Sequence, residues 1–334
     1  MIPLNQSTCH IRNYKVEEAL ITSINEGDHQ KYAPPYGLPE LQELILDRFE
    51  LTGSDAEVLV TDGSTSAIYQ AVRYLCHPDV YRPFVDMEPS WGWTKKFTRK
   101  RDFQTVPHKI RPEDVPERGL VNICSPQNPT GEKYKITELI SIAQECKRKN
   151  AWLLYDCAYR DYGDYVPLYK YHPDRTITTF SFSKSVGCMR LGGVICNPDV
   201  MRDIYSMRPN QLGSSLVAQK GGIAALKTVD QWLPDLLDTT NHNRDWIYGF
   251  IPGKYPRPDN GNSVWLELER DSSDVTAEYY SRGILVRDGK YYGKGHGNFI
   301  KITTSVPHEW VKKLLTKRDP HGNIRHNQEI ERTK

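Results

Sequence analysis

One stretch constrains this chain more than any other: Thr179-Phe180-Ser181-Phe182-Ser183-Lys184-Ser185-Val186-Gly187-Cys188-Met189-Arg190-Leu191-Gly192-Gly193. A single lysine sits among small hydroxyl residues, with an arginine and two glycines just beyond it. A tight turn of small residues has no use for a long cationic side chain unless its amine has a task. An amine that loses solvation there drops its pKa and becomes a Schiff-base nucleophile. Ser181 and Ser183 offer hydroxyls, and Arg190 offers a planar fork suited to phosphate. Gly192 and Gly193 let backbone approach closely. Taken alone, the stretch also reads as a surface Ser-Lys turn before a strand.

Three further stretches change that balance: Thr61-Asp62-Gly63-Ser64-Thr65-Ser66-Ala67-Ile68, Asn128-Pro129-Thr130-Gly131 and Asp156-Cys157-Ala158-Tyr159. With them, the chain resembles the fold-type I enzymes of pyridoxal 5'-phosphate (PLP) in the class I/II aminotransferase family. The branch it resembles holds histidinol-phosphate aminotransferase and threonine-phosphate decarboxylase. Motif order and rough spacing match across about residues 4 to 305. The fold class implied is α/β: a large domain with a mainly parallel sheet between helices, and a small α+β domain. The expected boundaries are 27–203 for the PLP-binding domain, 1–26 with 204–318 for the small domain and its N-terminal arm, and 319–334 for a polar tail.

Composition sets outer limits. A chain of 334 residues suggests about two domains. With 38% hydrophobic and 26% charged residues it reads as a soluble globular protein. Its mean hydropathy is −0.62, and no apolar run approaches the roughly 20 residues of a membrane span. The first residues lack an apolar signal core. Seven dispersed cysteines without a CxxC pair suit reduced thiols in a cytoplasmic protein better than disulfides or zinc. No metal is expected.

Local patterns place the elements. Val16 to Ile24 and the segment from Pro39 read as helices. Glu57–Thr61 reads as a buried strand running into Gly63-Ser64-Thr65-Ser66 and the helix 67–75. Unpaired N–H groups at a helix start bind anions, with Ser64 and Thr65 adding hydroxyls; an ordinary N-cap is the plainer reading. Further strands are expected at 83–93, 119–126, 151–156, 176–183, 262–268 and 299–303. Helices are expected at 135–150, 216–226 and 232–250. Asp156 and Lys184 then stand at strand ends, the edge where open α/β sheets bind ligands.

The resemblance implies roles for these positions. Lys184 carries the coenzyme, Asp156 pairs with its ring nitrogen, and Asn128 and Tyr159 bond its phenolic oxygen. Trp91 stacks on the ring, while Trp93 is read as structural. Ser64, Thr65, Ser181 and Arg190 hold the phosphate, with Tyr32 crossing from a second subunit of a homodimer. Core packing for Trp91 and a simple interface role for Tyr32 stand as the plainer readings. Lys301, Asn5 and Arg287 are candidates for the substrate.

Two departures stand out. The loop from Lys184 to Arg190 is two residues shorter than in the resembled branch. Lys301 stands where family members that handle α-amino acids carry an arginine, and lysine holds a carboxylate as a point charge and not as a fork. The expected activity is an aminotransferase acting on a small amino acid or amine. The alternative is a PLP-dependent α-decarboxylase, in one variant of a phosphorylated or nucleotide- or DNA-linked amino acid, which the basic run Lys95–Arg101 would attract. The third reading is a non-enzymatic protein of the same fold.

Overall fold

The computed structural model describes residues 1–77, 81–98, 103–187, 189–208, 212–251, 253–255, 260–318 and 324–325, without the side chains of 294, 317, 318, 324 and 325. The strands run β1 (Ile2–Pro3), β2 (Glu57–Thr61), β3 (Phe84–Met87), β4 (Phe103–Val106), β5 (Leu120–Cys124), β6 (Trp152–Asp156), β7 (Thr176–Ser181), β8 (Gly192–Cys196), β9 (Ser263–Glu267), β10 (Ile284–Leu285), β11 (Arg287–Asp288) and β12 (Phe299–Thr303).

Seven of them form one sheet in the order β2-β8-β7-β6-β5-β3-β4. The neighbours from β7 through β4 pair parallel, and only β8 runs against its two neighbours. The inner strands are apolar on both faces because helices cover both. Leu120, Leu154 and Ile177 face a cluster closed by Ala71, Leu75 and Met201. Val121, Leu153 and Tyr155 face the other, with Leu41, Ile45 and Ile142. A three-stranded antiparallel sheet, β11-β12-β9, carries its own core of Val264, Leu266, Ile300 and Ile302.

Some boundaries differ from the sequence reading. Strand β3 stops at Met87, before Glu88-Pro89, and Trp93 opens a short helix, Trp93–Phe97, instead of closing the strand. Proline cannot donate to a ladder, which ends the pairing there. Helix Ser64–Leu75 starts three residues before Ala67, so the hydroxyl-rich turn is already its first turn. The helix expected from Trp232 begins at Val229, and β7 ends at Ser181. Strand β4 was not anticipated, and a strand after the lysine turn, expected only in the plainer reading of that stretch, is present as β8. β8 holds the Gly192-Gly193 pair because a Cβ on Gly192 would meet the Phe180 carbonyl and lie 2.7 Å from Ser64 N. Of the basic run, residues 99–101 lie outside the described residues. Lys95 and Lys96 sit over the rings of Phe103 and Trp93. Most of the expected tail, 319–334, is likewise outside the described residues.

The N-terminal arm is laced through the fold. Leu4 is fully buried and bonds Leu285 and Thr303 through its backbone; Cys9 N donates to Ser183 O at 3.0 Å and His10 N to Ser305 O at 2.9 Å. The arm joins the three-stranded sheet to the lysine turn.

Candidate active site

The parallel strands end together, so Thr61, Met87, Cys124, Asp156 and Ser181 share one edge. The register makes this concrete: Thr61 and Ser181 both lie opposite Gly192, and Cys124 lies opposite Asp156.

At one end of the edge stands the start of helix Ser64–Leu75. Gly63 precedes it at φ 81°, and no side chain caps the helix. Its first N–H groups are therefore open to an anion. Arg190 reaches the same place. Its Nη2 donates to Asp62 O at 2.8 Å, and a Cβ on Gly63 would sit 3.4 Å from its Nη1. Ser181 Oγ accepts from Ser183 N at 3.1 Å. Ser183 is buried, and its hydroxyl has no partner.

In the middle stands Asp156. Its Oδ1 accepts from Ala158 N at 3.0 Å and Thr179 Oγ1 at 3.3 Å. Burial pushes this carboxyl up, against the pull of those bonds and of the Lys184 charge. The Lys184 turn is pinned by its own carbonyl, which accepts from Tyr162 Oη at 2.7 Å. Lys184 Nζ lies 5.7 Å from the Tyr159 ring centroid. Trp91 is half-buried against the cluster that includes Ala67 and Ile68.

At the other end, side chains from distant segments form one chain of hydrogen bonds. Lys301 Nζ donates to Ser7 Oγ at 2.6 Å and to Asn128 Oδ1 at 3.1 Å. Tyr292 Oη donates to the same Asn128 oxygen at 3.4 Å, and Ser7 is bonded to Tyr159. Arg287 lies opposite Lys301 in the ladder, with its Nε on Asn5 O at 3.2 Å. Asn5 Oδ1 is buried and unpartnered. Burial, then the charges of Lys184 and Arg287, hold the Lys301 amine well below its ordinary range.

The structure thus gathers Ser64, Thr65, Ser181, Arg190, Asp156, Lys184, Asn128, Tyr159, Lys301, Arg287 and Asn5 along one edge, with Trp91 beside it. Tyr32 does not join them: it is 80% exposed. Two residues were missed by sequence reasoning. Ser7 links Lys301 to Tyr159. Asp86, in β3, is buried; it accepts from Met87 N at 2.8 Å and Ser90 Oγ at 3.1 Å and is bonded to Asn122. Burial, with the nearby Asp156 charge adding, lifts its carboxyl to about 7. An acid inside an otherwise apolar strand was the signal for it. A cleft of about 600 Å³ lined by residues such as Lys109, Arg111 and Glu138 holds none of these groups. Among the described residues, no group of three or more His, Cys, Asp or Glu is placed to hold a metal, and no helix is long and apolar enough to cross a membrane.

Comparison with solved structures defines the class first. The aspartate aminotransferase of Thermus thermophilus with maleate superposes at a TM-score of 0.81, covering 94% of this chain and 90% of that one at 20% identity. This is the fold-type I architecture. The family described as aminotransferase class I and II matches residues 5–317, and the chain belongs to that family. A histidinol-phosphate aminotransferase of Carboxydothermus hydrogenoformans is 24% identical over 302 residues, 84% of this chain and 80% of the relative. An aspartate aminotransferase of Pyrococcus horikoshii is 24% identical over 90% of this chain and 85% of its own length. Several other curated relatives are matched over less of their length, between 50% and 61%. Members of the family are enzymes that use PLP.

Proposed function

We propose that this protein transfers an amino group between an amino acid and a 2-oxo acid, using PLP. The observation that carries the reading is the convergence of Lys184, Asp156 and Arg190 on one sheet edge, the last at an uncapped helix start. The residues present fit the coenzyme. The open helix end and the Arg190 fork suit a phosphate, and the orphaned Ser183 hydroxyl leaves a donor free beside them.

When bound, PLP supplies an aldehyde that captures the substrate nitrogen and a ring that withdraws electrons from Cα. Lys184 would hold the aldehyde carbon and, once displaced, carry the proton to and from the substrate Cα. Asp156 would accept the ring N–H and keep that proton in place. Its buried, raised carboxyl is stabilised as an anion once a cationic partner arrives. Asn128 and Tyr159 would bond the phenolic oxygen, Trp91 would cover the ring, and Ser64, Thr65, Ser181 and Arg190 would anchor the phosphate. Arg287, Lys301 and Asn5 form the wall facing the substrate.

The α-decarboxylase alternative is not favoured, since the relatives reported above are aminotransferases. A homodimer is part of the proposal. Tyr32 stands exposed on its own subunit, as a residue serving a second copy's phosphate would. The domain division at 27–203 against 1–26 with 204–318 belongs to it too, and the two separate sheets support it. Free thiols at all six described cysteines support a reducing, cytoplasmic setting.

The test is direct. Mixed with PLP, the protein should develop a coenzyme absorption band that Lys184→Ala lacks. Adding an amino acid panel should yield the aminated coenzyme and a 2-oxo acid. Carbon dioxide released without the aminated form would instead identify a decarboxylase.

A further inference from the structure

Lys301 is a buried cation site without an anion. It is 2% exposed, and among the described residues it makes no ion pair. The groups around it on every packed element are Lys184 from the turn after β7, Arg287 from β11, Tyr292 from the turn after β11, Asn128, and Ser7 with Tyr159 behind it. Two are cations. The Tyr292 ring, with its centroid 5.4 Å from Nζ, attracts a positive charge only weakly.

Hydrogen-bond counting points the same way. A neutral amine carries two N–H groups, and Lys301 has two acceptors, Ser7 Oγ and Asn128 Oδ1. An ammonium carries three, and no described residue accepts the third. A carboxylate entering between Arg287 and Lys301 would supply both the missing acceptor and the missing negative charge.

Resting on the reading of this edge as a PLP site, we propose that Lys301 waits as a neutral amine and takes up one proton from solvent as a substrate carboxylate binds. Anion binding and protonation are then one event. The balance is one proton in, with the carboxylate remaining an anion. An arginine stays charged and cannot act in this way. The wall therefore selects carboxylate-bearing amino acids and 2-oxo acids over simple amines, and it selects them more strongly as pH falls. In the range where the free amine is neutral, affinity for a carboxylate drops about tenfold per unit rise in pH.

The experiment is calorimetry of the PLP-loaded protein with succinate and with 3-phenylpropionate, neither of which has an amine to titrate. Heats are compared in buffers of different ionisation enthalpy. Coenzyme absorption, followed in the same solutions, counts any proton taken up at the Lys184 linkage. The expected result is close to one proton beyond that count, and affinity falling with pH. Lys301→Arg should bind with no extra proton and with the pH slope removed; Lys301→Met should bind more weakly and also take up no extra proton. Equal uptake in the wild type and both variants would overturn the proposal. So would a loaded protein that binds neither carboxylate. A wild type that never forms the coenzyme band would overturn the proposed function, and this inference with it.

Discussion

Around Arg190 the site is assembled from segments that hold themselves in place: the start of helix Ser64–Leu75, the end of β7 and the start of β8. Around Lys301 it depends on side chains from opposite ends of the chain, with Ser7 and Lys301 294 positions apart. The first region offers donors to an anion, from backbone N–H groups and the Arg190 guanidinium. The second offers a lysine, whose charge depends on its company. On the proposed reading, the same fold edge sets a cradle of backbone N–H groups and a guanidinium against a wall whose charge follows pH.

Variants should break this contrast in graded ways. Lys184→Ala belongs to both regions and should cost the most, about a thousandfold or more in single-turnover transamination, since it removes the proton carrier at Cα. Arg190→Ala should weaken PLP binding by about ten- to a hundredfold, the worth of a charge-assisted bond. At saturating coenzyme it should leave carboxylate affinity unchanged, and equilibrium dialysis with spectroscopy would show the separation. Ser7→Ala should do the reverse, raising KM for the amino acid about tenfold with PLP affinity intact. If Ser7→Ala lowered both equally, the two regions would not be independent.

The smallest effect concerns stability. The Asp86 carboxyl is raised from the ordinary 3.8 to about 7. The folded protein then binds more protons than the unfolded chain between those values. Stability should fall as pH climbs from about 4 to about 7 and level off above. Asp86→Asn should flatten part of that slope in urea unfolding measured across pH, while Asp156, shifted in the same direction, retains the rest.

These contrasts also explain what could be read from the sequence. The position of Asp156 at the end of β6 was legible from the apolar run before it, while the roles expected of Lys184, Asp156 and Asn128 came from the resemblance of their motifs to a family. β4 was not legible. It is an edge strand with Gln104 and Thr105 exposed, and alternation is weak over four residues. β8 was obscured because Gly192-Gly193 reads as close-approach glycines after a turn, while in the sheet Gly192 is forced by the Phe180 carbonyl and Gly193 by the Phe180 ring and the Leu59 carbonyl. Ser7 stood in the arm Leu4-Asn5-Gln6-Ser7 that the resemblance brings to the site mouth, but nothing local gave it a role of its own. Its buried setting at φ 53° is fixed by Asn262, Thr303 and Lys301. Lys301 was noticed as a departure from its family, but its neutral-amine surroundings depend on Arg287 and Lys184, which no local motif connects to it.

The lacing of residues 2–10 into partners at Ser183, Asn262 and 283–305 has a consequence for refolding. Part of this ribbon's grip is on the lysine turn, through Cys9 and Ser183, and most of the rest is on segments nearly 300 positions away. The seven strands of the large sheet all lie between residues 57 and 196. Closing the long connection is entropically slow relative to local pairing. In refolding, the amides of the large sheet should therefore gain protection from hydrogen exchange before those of residues 2–10, and the ribbon should be the last seam to close.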